Sequence, residues 1–174
     1  MCGPRDYAHG RYRAIFSRGE TQLRLQLVSV PELVRQLEPD FAKCRVACEV
    51  QVNVNFKGSL RIDLHRVVRV FGNLIRNARE AMKAGDANVL RFSVQKIGSL
   101  VQFELSDTGH GIKSDILPTI FEPFVTHGKA NGTGLGLAIS KACVDAHGGN
   151  ITVQSNEGGT TFRIDFPLSP EKEK

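Results

Sequence analysis

Three glycines at alternate positions open an apolar-periodic helix in the stretch NGTGLGLAISKACVDAHGG, residues 131 to 149. Glycine lets the backbone approach an anion closely, and the free amides of a helix N-terminus attract negative charge. We therefore expect Gly132, Gly134 and Gly136 to cradle a phosphate chain. Neither a P-loop nor a dinucleotide fingerprint matches, because the Lys-Ser/Thr pair and the third spaced glycine are missing. A glycine-rich turn without a ligand is the alternative interpretation of this loop alone.

A second polar motif, NLIRNAREAM at residues 73 to 82, lies on a predicted long helix. At 100° per residue Asn73 and Asn77 project about 40° apart on the polar side, and Asn77 falls at the border of the apolar arc. An amide at such a border needs a partner, either a backbone group or a hydrated Mg²⁺ that bridges phosphates. Asn73 cannot act as a base at neutral pH, so we do not expect efficient hydrolysis.

The motif DTGHGI, residues 107 to 112, follows a predicted strand. Gly109 and Gly111 permit a sharp turn there, and Asp107 at the end of the strand can accept a hydrogen bond from an amino group. An ordinary Asp-Gly turn is the alternative.

Between the two glycine motifs, residues 113 to 131 are punctuated by proline and glycine and are interpreted as a lid. Phe121 and Phe124 would anchor this segment, although Phe121 is equally compatible with the core. Lys129 is the candidate for a flexible charge that reaches the β- or γ-phosphate, and a solvated loop lysine is the alternative.

In this order, NLIRNAREAM, DTGHGI, FEPF and GTGLGL resemble the N, G1, F and G2 boxes of the ATP-binding catalytic domain of sensor histidine kinases. The resemblance covers residues 21 to 168 and implies the Bergerat fold of the GHKL superfamily. It also implies ATP and Mg²⁺ as ligands, and transfer of the γ-phosphoryl group to a histidine on a phosphoacceptor domain outside this chain.

The resemblance further implies roles for individual residues. Asn77 would coordinate Mg²⁺, Asp107 would bind the adenine amine, and Asn73, Asn77 and Lys129 would be catalytic. Glu80 departs from the basic residue common in the family and matches a branch related to nitrogen-regulation kinases, which leaves the basic phosphate contact unassigned. The full predicted nucleotide site comprises Asn77, Glu80, Asp107, Gly109, Gly111, Ile112, Lys129, Gly132, Thr133, Gly134, Leu135, Gly136 and Leu137.

The family's acceptor histidine is normally followed by an acidic residue. His9, His65, His110, His127 and His147 are followed by glycine or arginine, so none qualifies. We therefore expect that this chain alone does not autophosphorylate. His147, before two glycines, is instead predicted at a helix C-terminus.

The expected partners are the phosphoacceptor histidine domain of the same kinase and a response regulator receiver domain, in a homodimeric parent. The sequence is compatible with a membrane-anchored parent, and no direct membrane contact is expected for this domain. Nucleic acid is not an expected partner, because the net charge of +5 is modest and spread along the chain. The alternatives are an ATPase clamp related to gyrase, a serine kinase that sequesters a sigma factor, and a non-enzymatic docking module.

The elements that must position these motifs predict one α/β domain, a two-layer sandwich with a mixed sheet and helices on one face. Residues 1 to 19 are interpreted as a linker or the tail of a preceding helical domain, residues 20 to 168 as the catalytic domain, and residues 169 to 174 as a disordered tail. Strands are predicted from Glu20 through Leu27 and from Val46 to Val54, and a helix from Asp63 to Ala84. The four cysteines are predicted to be reduced thiols, as is usual in the cytoplasm, and Cys44 and Cys48 are assigned to the stretch of the second strand.

Overall fold

The computed structural model describes residues 22–84, 87–125 and 133–168. In chain order the elements are β1 (Gln26–Ser29), α1 (Val30–Cys44), β2 (Glu49–Val54), β3 (Ser59–Ile62), α2 (Leu64–Ala81), β4 (Val89–Ile97), β5 (Leu100–Asp107), a short 3₁₀ turn (Leu117–Thr119), α3 (Gly136–Ala146), β6 (Asn150–Asn156) and β7 (Gly159–Pro167).

The main sheet has five strands in the order β2, β4, β5, β7, β6. Strand β2 runs parallel to β4, whereas the other neighbours are antiparallel, so the sheet is mixed as predicted. Strands β1 and β3 form a separate antiparallel pair. The hairpin predicted around Gly98 and Ser99 is present, with Ile97 opposite Leu100 and with Gly98 in the left-handed region that glycine tolerates.

Helix α2 forms because its sequence supplies both a cap and a continuous apolar stripe. The Asp63 carboxylate accepts a hydrogen bond from the Arg66 N–H at 3.2 Å, which satisfies a donor that the first turn leaves open. Helix α1 begins in the same way at Ser29, with Pro31 in its first turn. The buried stripe of α2 contains Leu64, Val67, Val70, Phe71, Leu74, Ile75 and Ala78.

The centre of the core is an aromatic cluster that joins α2 to the sheet. The ring of Phe71 lies 5.6 Å from Phe92 of β4 and 5.2 Å from Phe103 of β5, between ring centroids. Phe41 of α1 contacts Phe92 edge-on at 5.4 Å. Such pairs contribute about 0.5–1.5 kcal/mol each beyond the area that they bury. The cluster therefore determines which face of α2 turns toward the sheet.

The other face of the sheet is polar, which confirms the prediction that the helices pack on one side. Cross-strand pairs cover it: Gln102 donates to Asp165 at 2.9 Å, and Arg163 forms an ion pair with Glu104 at 2.7 Å. Side chains alternate across a strand, so these residues point away from the buried Phe103. Within the described ranges no helix is long and apolar enough to cross a membrane.

The first predicted strand has the wrong buried face. Leu25 and Leu27 are 42% and 71% exposed, whereas Val28, on the other face of the strand, is 2% exposed and lies opposite Leu60. The alternation of leucines suggested the opposite assignment. Only one face of the two-stranded ribbon is buried against the rest of the protein, and tertiary packing buries the face that carries Val28.

The predicted strand from Val46 is also wrong in its first half. Cys44 is the last residue of α1, Val46 is 89% exposed in the following turn, and the strand begins only at Glu49. The Cys48 thiol donates to the Cys44 carbonyl at 3.3 Å, as expected just after a helix end. Helix α2 ends at Ala81, earlier than the predicted Ala84. Burial raises the pKa of Cys44 to about 11, so this thiol is neutral at physiological pH.

His147 joins the end of α3 to the start of α2. As predicted, it lies at the C-terminus of α3, where its ring nitrogen Nδ1 donates to the Cys143 carbonyl at 2.7 Å. Its Nε2 accepts a hydrogen bond from the Asp63 backbone N–H at 3.0 Å. These two partners require the neutral ring with its proton on Nδ1. The two helices are therefore connected at their ends through one imidazole.

We expect His147→Ala to lower the free energy of unfolding by roughly 1–3 kcal/mol, because the half-buried Asp63 N–H loses its acceptor. Urea denaturation of the two proteins measures the difference. His65→Ala is the matched control: this histidine is exposed on the first turn of α2, and its loss should change stability by less than about 0.5 kcal/mol. Equal effects of the two substitutions would contradict the role assigned to His147.

Candidate functional site

The start of α3 packs directly on α2 at the glycine loop. A Cβ added at Gly136 would lie 2.6 Å from Oδ1 of Asn73, so a larger residue would displace the Asn73 amide. Gly134 has a φ of +66°, and a Cβ there would lie 2.5 Å from the Phe124 backbone. Gly134 is thus required by its backbone conformation and close backbone packing, and Gly136 leaves room for the Asn73 side chain. The structure brings this loop against the first asparagine of the helix motif.

Asn73 holds the first turn of α3 through a chain of hydrogen bonds. Its Nδ2 donates to Oγ of Ser140 at 3.2 Å, and that hydroxyl donates to the Gly136 carbonyl at 2.9 Å. Its Oδ1 accepts a hydrogen bond from Arg76 at 2.8 Å. Both ends of the Asn73 amide are therefore engaged in positioning α3. Ser140 was not predicted, because a serine inside a helix carries no signal in the sequence of its contacts with another helix.

The N-terminus of α3 offers its backbone donors without a protein cap. The residue before the helix is Leu135, whose side chain cannot cap, and the first turn carries no acidic residue. The first N–H groups of a helix lack partners within the helix, and the helix dipole adds positive potential at this end. The stretch from Gly134 through Leu137 therefore presents donors suited to an anion.

The DTGHGI turn packs against α2 at Ala81, the last residue of the helix. A Cβ at Gly109 would lie 2.8 Å from the Ala81 carbonyl oxygen, and the His110 N–H donates to that oxygen at 3.1 Å. Gly111 has a φ of +71°, and a Cβ there would overlap the Asn156 carbonyl. Only glycine fits either position, so these residues act through the shape of the turn.

Asp107 is a buried carboxylate at the end of β5, only 6% exposed. Its Oδ1 accepts a hydrogen bond from the Gly109 N–H at 2.8 Å. Burial raises the pKa of Asp107, and the backbone hydrogen bonds from Gly109 and Thr160 offset part of that rise. A carboxylate kept away from water in this way is suited to bind a donor on a ligand.

Ser155 of β6 supports this turn and was also missed by the sequence analysis. Its hydroxyl accepts a hydrogen bond from the Ile112 N–H at 2.8 Å and donates to the Gly159 carbonyl at 3.0 Å. Thr160, which is buried, lies opposite Asp107 on the neighbouring strand β7. Both residues come from the second hairpin, and only strand pairing brings them to the motif.

Asn77 lies between the two loops on α2, half-buried and one turn after Asn73. The distance along the helix from Asn73 to Ala81 is roughly 12 Å at 1.5 Å per residue. Glu80 is exposed, with a carboxylate oxygen 4.0 Å from Nε of Arg76. Among residues 22–84, 87–125 and 133–168, no group of three His, Cys, Asp or Glu side chains that could hold a metal ion occurs.

The remaining predicted residues divide into two sets. Ile112 and Leu137 are half-buried against the core, and Thr133 is exposed at the start of the glycine loop. Lys129 and Gly132 lie outside the described residues. Phe121 packs on Phe162 of β7, at 6.5 Å between ring centroids, as an ordinary core residue.

Phe124 is not the apolar anchor that was predicted. It is 72% exposed and has a φ of +67°, in the region that bulky residues rarely adopt. Its N–H donates to the Gly134 carbonyl at 2.9 Å, which fixes its backbone beside the glycine loop. The backbone of Phe124 is thus held against Gly134, and its ring stays exposed.

Comparison with known proteins finds relatives along most of the chain. Residues 62–170 match the family described as histidine kinase-, DNA gyrase B-, and HSP90-like ATPase. Sensor protein FixL of Bradyrhizobium diazoefficiens is 32% identical over 170 residues, which are 92% of this chain and 32% of that protein. Sensory histidine kinase/phosphatase NtrB of Rhodobacter capsulatus is 40% identical over 121 residues, which are 63% of this chain and 34% of that protein. The chain spans about a third of the length of these relatives.

Solved structures match along most of the chain. The catalytic domain of histidine kinase ThkA has a TM-score of 0.71 at 28% identity, covering 86% of this chain and 99% of that chain. The mycobacterial sensor histidine kinase MprB has a TM-score of 0.72 at 26% identity, covering 82% of this chain and 97% of that chain. The predicted resemblance is confirmed: this chain belongs to the histidine kinase-, DNA gyrase B- and HSP90-like ATPase family, and it has the fold of a sensor histidine kinase catalytic domain.

Proposed function

We propose that this chain binds Mg-ATP and transfers the γ-phosphoryl group to a histidine on a separate phosphoacceptor domain. One observation supports the proposal most directly: α2 contacts the glycine loop at Asn73 and the DTGHGI turn at Ala81. A purine recognised at one end and a phosphate chain at the other therefore lie along a single rigid helix. Sensor histidine kinases among the relatives support the reaction class.

The residues present fit an adenine nucleotide. The uncapped first turn of α3 supplies N–H donors for phosphate oxygens, next to glycines that no side chain could replace. The buried Asp107 carboxylate supplies an acceptor for the exocyclic amine of adenine. Guanine carries a carbonyl at that position, so the carboxylate would face an acceptor and disfavour it.

Magnesium binding is proposed for the amide oxygen of Asn77. Mg²⁺ keeps several waters and is held by few protein oxygens together with substrate phosphates, so a site with one amide ligand is compatible with its chemistry. When bound, the ion neutralises charge on the phosphates. Lys129 and Gly132, outside the described residues, remain proposed contacts to the same phosphates.

Transfer is favoured over hydrolysis by the residue at position 73. An amide cannot abstract a proton from water, and both ends of the Asn73 amide are engaged by Arg76 and Ser140. Its proposed role is therefore to position α3 and the phosphate loop. Phosphoryl transfer depends mainly on such positioning and on charge neutralisation, and the attacking group would come from the acceptor domain.

The proposed partners follow from the same reaction. The phosphoacceptor domain and a response regulator receiver domain are expected in a homodimeric parent kinase, with this domain in the cytoplasm. Both relatives named above are sensor proteins, which supports the assignment to a two-component system.

A chimera tests the transfer reaction. We expect that NtrB of Rhodobacter capsulatus, with its matching catalytic region replaced by this chain, becomes labelled from γ-labelled ATP, whereas the chain alone binds ATP and stays unlabelled because it lacks the acceptor. The same chimera carrying Asp107→Ala is the control and should stay unlabelled. Binding of ATP without any labelling of the chimera would argue against the kinase reaction, and label on the isolated chain would argue against an external acceptor.

Replacing the proposed metal ligand should remove the contribution of magnesium. We expect Asn77→Ala to weaken Mg-ATP binding by about tenfold and to leave Mg-free ATP binding unchanged, because the amide oxygen is proposed to bind the ion and not the nucleotide itself. Calorimetric titration with and without magnesium measures both. Asn53→Ala, at an exposed position on the open face of the sheet, is the matched control. A loss that is equal with and without the ion would assign Asn77 to the nucleotide itself.

The raised pKa of Asp107 predicts how nucleotide affinity depends on pH. Below that pKa the carboxyl is protonated, and its free oxygen becomes a donor facing the adenine amine. Nucleotide affinity should therefore fall as the pH drops, and the fall should begin at a pH above the ordinary pKa of an aspartate. ATP affinity is measured from neutral to acidic pH for the wild type and for Asp107→Asn, and the ratio of the two affinities is followed. The phosphates titrate equally in both measurements, so their effect does not appear in the ratio. A ratio that does not change above the ordinary aspartate pKa would contradict this role for the carboxylate.

A further inference from the structure

A groove crosses the outer face of the helical layer, on the side of α2 away from the sheet. It has a volume of about 720 Å³, with α2 as its floor and α1 and α3 as its walls. Gly72 keeps the floor open, since a Cβ there would lie 3.0 Å from a carboxylate oxygen of Asp40. The groove starts at Gly136, and its lining does not include Asp107 or Gly109. It therefore runs away from the proposed adenine end of the site.

The groove is strongly basic. Among the described residues, its charged lining consists of Arg66, Arg69, Arg76, Arg79, Lys43 and a single acidic residue, Asp40. The whole chain has a formal net charge of +5, so much of the excess positive charge is concentrated on this one concave surface. Such a concentration in a cleft focuses the positive potential and attracts an acidic partner.

Two of these arginines differ from the others, because no described side chain pairs with them. Arg66 pairs with Asp63 at 3.5 Å, and Arg76 donates to Asn73. Arg69 and Arg79, in contrast, form no hydrogen bond or ion pair with any side chain in the described ranges. Arg69 is exposed and Arg79 is half-buried.

The two arginines lie ten residues apart on α2, which is roughly 15 Å along the helix at 1.5 Å per residue. Both line the groove, so it presents two guanidinium groups spaced along its floor. Such groups bind carboxylates with two parallel hydrogen bonds when the partner presents them at matching positions.

The shape of the groove favours a helix as its occupant. From Arg66 to Arg79 the floor extends for roughly 20 Å at 1.5 Å per residue, between two flanking helices. Leu135 and Ile139 add apolar surface on the α3 side. A helix crossing α2 at an angle could bury a narrow apolar stripe here and direct carboxylates toward the arginines. An extended polyanion would use the charges but not the apolar wall.

We propose that this groove is a docking site for an acidic amphipathic helix of a partner protein. The groove shares Thr133, Leu135 and Gly136 with the phosphate end of the proposed nucleotide site, whereas Arg69, Arg79 and Ile139 lie outside the proposed nucleotide contacts. Its recognition elements are the guanidinium groups of Arg69 and Arg79 and the apolar surface of α3.

Two helical peptides of ~20 residues and identical composition test the proposal, one with its glutamates on one face and the other with them distributed around the helix. At physiological ionic strength, fluorescence anisotropy should detect binding of the one-faced peptide to the wild-type chain. The double variant Arg69→Glu, Arg79→Glu should bind it about tenfold or more weakly, because two attractions become repulsions. Arg35→Glu, at an exposed position on α1 outside the groove, is the matched control.

Three results would overturn the proposal. Equal binding of the two peptides would indicate unspecific attraction of charge, and tighter binding of a single-stranded oligonucleotide would indicate a nucleic-acid surface. Self-association of the chain that the double variant abolishes would identify a second copy as the occupant. Thermal unfolding must be the same for both variants, and retained Mg-ATP binding by the double variant separates this site from the proposed nucleotide site.

Discussion

The packing of α2 against the sheet is the constraint on which the other features depend. Phe71 fits between Phe92 and Phe103, and this contact sets the rotation of the helix about its own axis. Once that rotation is set, the remaining faces of the helix are assigned. Asn73 points toward α3, Ala81 meets the DTGHGI turn, and the arginines face outward. A helix rotated by even one residue position, about 100°, would lose all three relationships together.

Rigidity of the site follows from contacts that leave no room for side chains. Gly136 rests against the Asn73 side chain, and Gly109 rests against the Ala81 backbone, so neither loop can move relative to α2 without disturbing a close contact. Hydrogen bonds through Ser140 reinforce the first contact. Residues held in this manner lose little freedom on ligand binding, which reduces the entropic cost of ordering a nucleotide. The close contacts thus lie at both ends of the proposed nucleotide site.

Much of the architecture could be predicted from local patterns. The Asp63 cap and the apolar stripe of α2, the hairpin at Gly98, and the two-layer arrangement each follow from residues near one another in sequence, and each is confirmed. The four ordered motifs likewise identified the family, because their spacing reflects a shared chain path. Predictions were wrong where alternation alone chose a buried face, as at Leu27, and where a helix end was taken for a strand, as at Cys44. Local pattern cannot tell which face a neighbouring element will cover.

By itself, then, the sequence determined the type and order of the helices and strands, although not every boundary or buried face. It also determined the family and the glycine positions at which the chain must turn sharply, since these depend on the order of the motifs and on the sterics of single residues. The tertiary structure alone decided that Asn73 is engaged by Ser140, that Ser155 supports the turn after Asp107, and that the arginines of α2 line one groove. Each of these contacts joins residues distant in the chain, and the partner of a polar side chain is chosen by packing geometry that no single segment encodes.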